Sequence, residues 1–237
     1  MRGVISTPYD NMRFFKAHHA PLFECATEDG EVFVGKSDRP WVYMKCNESN
    51  PETCHRILML IPEEYVNFAL VEDWMVENVT RDFVRTREMV CTRFYLPEGV
   101  SLPHGEAQVS ALMVDDAVEI QNSHAYNEYT DLDYVTEQIE NGYSACVRLD
   151  GKLVAWAITH DDGAIGFLFV QPEHRGKGYG EAVTAWIAER LRKDGYAVYV
   201  HIESDNFKSM NLAKKVGFVE DRNVRWFTLE ERKSDNV

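Results

Sequence analysis

The stretch Phe167-Leu-Phe-Val-Gln-Pro-Glu-His-Arg-Gly-Lys-Gly-Tyr-Gly180 decides how this chain is read. Its apolar start reads as a strand that ends at Val170, because Pro172 cannot continue a ladder. Three alternating glycines follow, Gly176, Gly178 and Gly180, and helical periodicity begins at about Glu181. Glycine lets the backbone turn tightly and come close to a ligand. A helix N-terminus adds unpaired N–H donors and the positive end of the helix dipole. Together they make a site for a phosphate or diphosphate, with Arg175 and Lys177 supplying positive charge beside it. A Walker loop requires Gly-Lys-Ser/Thr, and here Lys177 is followed by Gly178, so that reading fails. A Rossmann turn requires GxGxxG after the first strand of a βαβ unit. Here the spacing is GxGxG and several strands precede it.

Those strands are legible. Ser144 to Leu149 and Leu153 to Thr159 flank Asp150-Gly151, and Asp162-Gly163 marks a second turn before the strand Ala164 to Val170. Upstream, Val109, Ala111 and Met113 alternate as in a strand. Asp115 and Asp116 are placed to cap a helix over Ala117 to Asn122, and Asp131 to cap another with Leu132, Val135 and Ile139 on one face. Downstream come a helix over Glu181 to Lys193, a strand over Ala197 to Glu203, a helix over Phe207 to Val216 and a strand over Val224 to Leu229. The stripe Val183, Trp186, Ile187 and Leu191 reads as a core face. The expected architecture is an α/β layer with a mixed, mostly antiparallel sheet.

The N-terminal half says less. Glu31 to Lys36, Trp41 to Lys45 and Thr92 to Leu96 look like strands, and Pro62-Glu63-Glu64 looks like the opening of a helix. No catalytic spacing appears there. The segment Pro97 to Glu106 carries two prolines and two glycines and is the expected boundary between an N-terminal domain, 1–100, and a catalytic domain, 107–237.

Composition excludes several classes. Acidic residues outnumber basic ones 39 to 25 for a net charge of -14, which disfavours nucleic acid and anionic membranes and favours cationic partners. Apolar runs such as Ile57 to Ile61 are too short to span a bilayer, and Met1 to Phe15 has no signal-like apolar region. The five cysteines are odd in number and lack C-x-x-C spacing, and neither Cys54-His55 nor His18-His19 has a second ligand pair, so no metal site is expected. Reduced thiols in a cytoplasmic protein are the expectation.

Val170-Gln-Pro-Glu-His-Arg-Gly-Lys-Gly-Tyr-Gly180 matches V-x-P-x-x-(R/Q)-G-x-G-x-(G/A), and in this the chain resembles the GNAT superfamily of acyl-CoA N-acyltransferases. Asn206, followed eleven residues later by Gly217-Phe218, is similar to a second family segment. The resemblance runs from about Ala107 to Glu230. In layout the whole chain is similar to the glycine N-acyltransferase-like branch, whose catalytic half follows a degenerate half of similar fold. The resemblance implies acetyl-CoA as co-substrate and an amine as acceptor, in a monomer or homodimer. It implies that pantetheine lies along Leu168, Phe169 and Val170. The diphosphate would sit at the loop and helix start formed by Arg175, Gly176, Lys177, Gly178, Tyr179, Gly180 and Glu181, and Asn206 would contact the pantetheine region. The resemblance offers Lys208, Lys214 and Lys215 to the coenzyme's ribose phosphate, while at least two of them read as a solvated face.

The implied reaction is direct attack of an amine on a thioester, which requires removal of a proton from an ammonium with a pKa of about 10. Many family members place a tyrosine four residues before the Gly-Phe pair to protonate the leaving thiolate. Here that position is Ala213, so another group does so or the sulfur leaves as thiolate. His201, five residues before Asn206, stands where the ribosomal-protein N-acetyltransferase branch has a glutamate base. By strand alternation it shares a face with Tyr199 and Glu203. It is either the proton acceptor or a packed strand histidine, with Glu203 in reserve. His124, Tyr126 and Tyr129 are either acceptor-side aromatics or a helix–helix contact. A longer acyl donor with an amino-acid acceptor, or a non-catalytic acyl-CoA-binding module, are the rival readings.

Overall fold

The computed structural model describes residues 8–36, 39–46, 50–103, 105–123 and 130–231. The N-terminal half contains α1 (Pro8–His18), β1 (Phe23–Thr27), β2 (Gly30–Lys36), β3 (Pro40–Cys46), α2 (Glu52–Leu58), β4 (Asn67–Glu72), α3 (Asp73–Val79) and β5 (Phe83–Tyr95). The C-terminal half continues with β6 (Val109–Ser110), α4 (Ala117–Ser123), α5 (Leu132–Asn141), β7 (Ser144–Leu149), β8 (Lys152–Thr159), β9 (Ile165–Val170), α6 (Tyr179–Lys193), β10 (Tyr199–Glu203), α7 (Phe207–Val216) and β11 (Val219–Glu231). Among the described residues, no helix is long and apolar enough to cross a membrane.

Local chemistry explains most boundaries. Asp131 caps α5 by accepting the Tyr134 N–H at 2.8 Å, and Asp116 accepts the Met113 N–H at 2.7 Å ahead of α4. Asp150 and Gly151 both take positive φ in the β7–β8 hairpin, as a two-residue primed turn requires. Two segments differ from the sequence reading. Pro62 opens a turn closed by Tyr65 N–H to Pro62 O rather than a helix, and the apolar run beyond it becomes β4. Strand β6 stops at Ser110, because a one-turn 3-10 helix over Val114–Asp116 leads into α4.

The strands form two sheets. One runs β6-β7-β8-β9, all antiparallel. The other runs β1-β2-β3-β4-β11-β5-β10, antiparallel except for the β3–β4 pair. The long strand β5, from before the Pro97 to Glu106 segment, lies between β10 and β11. The last two strands of the chain are thus bridged by a strand of the N-terminal half. Arg192 at the end of α6 holds the connecting segment by donating to Pro97 O at 2.6 Å and Val100 O at 2.7 Å. One core joins α6, α7, β7, β8, β9 and β10, and a second fills the N-terminal half around Phe68, Ile57 and Met75.

The consequence for function lies between the sheets. Strand β9 ends one sheet and β10 ends the other, and they are neighbours without ladder pairing. Each turns a free backbone edge toward the other, which leaves a cleft where an extended ligand can pair.

Candidate active site

Strand β9 carries a bulge. Phe167 has φ 50° and the register to β8 shifts between Trp156 and Ile158. The bulge bends the strand and re-aims its edge groups just before Leu168, Phe169 and Val170, which are half-buried along the cleft. Arg175 donates from Nε to Val170 O at 3.1 Å, so its side chain braces the turn that leaves the strand. Lys177 Nζ lies 3.3 Å from His174 Nδ1 and both reach outward from the loop.

The three glycines do different jobs. Gly176 and Gly178 adopt φ 77° and 80°, and a side chain on either would meet no protein atom within 4 Å. They face open space, and no side chain caps α6. The first helical bond at this end is Ala182 N–H to Gly178 O, which leaves the N–H groups of Tyr179, Gly180 and Glu181 without partners in the helix. An anion at this point completes the helix end. Gly180 is buried, and a Cβ there would stand 2.7 Å from Leu212 Cδ1 and 3.4 Å from Val170. Its lack of a side chain lets α6 close on α7 and β9, a packing requirement besides the N–H it offers. Glu181 is partnered by Lys215 at 3.4 Å, while Lys208 and Lys214 are exposed. A hollow of about 650 Å³ adjoins the loop through Lys177, Gly178 and Tyr179, but it opens toward Arg148 of β7 rather than into the cleft.

Asn206 caps α7, its Oδ1 accepting the Ser209 N–H at 3.1 Å. Ala213 is buried in the core beneath α7. His201 sits on β10 directly across the ladder from Arg93 of β5. Its side chain is 8% exposed and lies 3.8 Å from Asp162. Burial, then Arg93 and His160, hold the imidazole well below its usual pKa, so it is neutral at physiological pH. Glu203 is half-buried at the end of β10, opposite Cys91. His124, Tyr126 and Tyr129 lie outside the described residues. Among those described, no three His, Cys, Asp or Glu side chains gather as a metal site.

The sequence reading missed a buried polar seam between the halves. It read Asp162-Gly163 only as a turn between strands, yet Asp161 and Asp162 are 4% and 3% exposed. Asp161 accepts the Tyr43 hydroxyl at 3.1 Å, and its own N–H lies 3.4 Å from the Tyr134 oxygen. Burial first, then the neighbouring Asp162, push the Asp161 carboxyl up to about 7. Such a carboxyl keeps its proton in the folded chain between the unfolded value near 3.8 and about 7. Stability therefore falls as pH rises through that window and levels off above it, by an amount on the order of a few kcal/mol. Asp161→Asn is expected to flatten most of this slope in urea melts taken from pH 4.5 to 8. An unchanged slope would show that the carboxyl is not protonated in the folded state.

A bulged strand, a glycine loop and an uncapped helix start thus lie beside two opposed free strand edges. Residues 143–227 match the family model described as FR47-like protein. A Bacillus subtilis (strain 168) protein, provisionally named for alanine N-acetylation of ribosomal protein bS18, is 26% identical over 137 residues, covering 50% of this chain and 91% of that one. A solved Drosophila protein superposes with TM-score 0.74 at 17% identity, over 95% of this chain and 89% of its own. A GNAT-family acetyltransferase structure from Novosphingobium aromaticivorans matches with TM-score 0.62 at 14% identity, over 96% of this chain and 100% of its own. A tandem GNAT protein of the clavulanic acid pathway matches with TM-score 0.56 at 15% identity, over 96% and 90%. In fold the chain is similar to these GNAT-family acetyltransferases, and over residues 143–227 it is similar to the FR47-like family.

Proposed function

We propose that the chain transfers an acetyl group from acetyl-CoA to a primary amine of a small molecule or peptide by direct attack. The observation that carries this is the uncapped start of α6, with Gly176 and Gly178 open to solvent at the mouth of the β9–β10 cleft. In this reading the diphosphate takes the N–H groups of Gly178 to Glu181, and pantetheine pairs with the edge of Leu168, Phe169 and Val170. Asn206 turns its amide nitrogen to the pantetheine arm. Backbone N–H groups past the Phe167 bulge stabilise the oxyanion. His201 takes the ammonium proton.

With Ala213 in place of the tyrosine, the sulfur departs as thiolate, which a pKa of roughly 8.5 permits. The net charge of -14 favours a cationic acceptor. Residues 107–237 are the catalytic half. The 1–100 segment is a degenerate partner that completes the sheet through β5, a division supported by the full-length match to a tandem GNAT protein. Free cysteines throughout support a reducing, cytoplasmic setting.

Thiol release tests the reading. Acetyl-, butyryl- and benzoyl-CoA are offered with an alanyl peptide, lysine, glycine and phenethylamine. Acetyl-CoA with at least one cationic amine is expected to give the highest kcat/KM. A preference for benzoyl-CoA with glycine would transfer the assignment to the longer-acyl class. Tight binding of acetyl-CoA with no turnover of any amine would make the protein a binding module.

A further inference from the structure

The β8–β9 turn holds the Asp162 carboxylate in one orientation. Its Oδ1 accepts the Ala164 N–H at 2.9 Å, and its main-chain carbonyl accepts the Tyr199 hydroxyl of β10. The remaining oxygen, Oδ2, faces β10 at 3.8 Å from His201 Nδ1. The imidazole cannot swing far, because the Tyr199 and Trp226 rings pack on it at 5.4 Å and 5.3 Å between centroids. With Nδ1 turned to Asp162, the ring presents Nε2 at its other end. That nitrogen is buried and meets no hydrogen-bond partner among the described residues. A histidine placed only for packing would leave this desolvated group uncompensated.

We propose that Asp162 is the positioning residue of the proton acceptor, turning His201 so that Nδ1 carries the hydrogen and Nε2 faces the incoming ammonium. This rests on the reading of His201 as the base. An N–H bond of the ammonium breaks, its electron pair stays on nitrogen, and the proton bonds to Nε2. The amine adds to the thioester carbon. The sulfur leaves as thiolate when the C–S bond breaks, the second proton is lost from the nitrogen to solvent to give the amide, and His201 returns its own proton to solvent. While His201 is charged, Asp162 is the nearby counter-charge.

The surroundings make that counter-charge matter. Arg93 of β5 opposes the imidazolium, with Asp221 and Glu72 paired behind it. His160 and Asp161 come from the turn, Tyr199 from the same strand, and Tyr43 of β3 and Tyr134 of α5 close the turn side. Burial raises the Asp162 carboxyl to about 6, so above that pH a carboxylate faces a neutral imidazole.

The test measures thiol release from acetyl-CoA, with the fastest amine of the panel above, from pH 5.5 to 9. His201→Gln is expected to lower kcat by about 100-fold. Asp162→Asn is expected to lower kcat by about tenfold or more, to shift the acidic limb to lower pH and to leave KM for acetyl-CoA unchanged. Asp162→Glu is expected to recover part of the rate. If Asp162→Asn keeps the wild-type kcat and pH profile while His201→Gln is impaired, the positioning role is overturned and the base survives. Full activity of His201→Gln overturns both. A further readout needs no variant: nitrogen-15 spectra of the wild-type imidazole are expected to show the Nδ1–H tautomer, and an Nε2–H tautomer refutes the proposal.

Discussion

Gly178→Val is expected to abolish measurable acetyl-CoA binding while leaving a folded protein. At φ 80° a β-branched residue costs roughly 1–2 kcal/mol. The side chain would meet no protein atom within 4 Å, so the strain stays local. In the proposed reading the same open space is where the diphosphate approaches the main chain. Displacing the anion from two N–H groups forfeits charge-assisted bonds of roughly 1.5–3 kcal/mol each, a loss of about 100-fold or more in affinity. Gly151→Val is the control, since Gly151 has φ 79° and equally open surroundings in the β7–β8 hairpin, away from the cleft. Calorimetric titration should show binding lost in the first variant and kept in the second, with similar small drops in Tm. Equal affinities in the two would mean the diphosphate sits elsewhere.

Arg93→Met is expected to cost about 3–5 kcal/mol of stability, the largest effect of any single change considered for the fold. Arg93 is fully buried on β5. Its guanidinium contacts Asp221 at 2.7 Å and Glu72 at 3.7 Å. Those acids are themselves 6% and 3% exposed in their side chains, and Arg222 alone cannot neutralise both. Removing the central cation leaves a desolvated negative charge, which is why truncating one member of a buried cluster costs more than the cluster contributes. The double variant Arg93→Met with Asp221→Leu should recover a substantial part of the loss in urea denaturation. A single-variant loss under about 1 kcal/mol would show that the network is open to water.

The local grammar of the C-terminal half was legible because short-range rules govern it. Turn chemistry at Asp150-Gly151, the cap at Asp131 and the glycine pattern around Gly176 and Gly178 each act within a few residues, and the structure repeats them. Helix α7 has the boundaries its periodicity predicts. The run after Pro62 was misread because proline and two acids suit a helical first turn and an open turn alike. Only the ladder with β3 and β11 draws the following residues into β4.

Residues 167–180 by themselves pointed to an anion-binding loop and, with Asn206 and Gly217-Phe218, to the family resemblance. Tertiary structure decided the rest. The insertion of β5 between β10 and β11 is a pairing across more than a hundred residues, and no local preference encodes such a register. The burial of Asp161 and Asp162 depends on β3 of the other half covering a turn that in isolation would be solvated. A carboxylate's setting follows from what packs on it, and the partners of Asp162 come from β10 and from residues that reach it only once the two sheets are assembled.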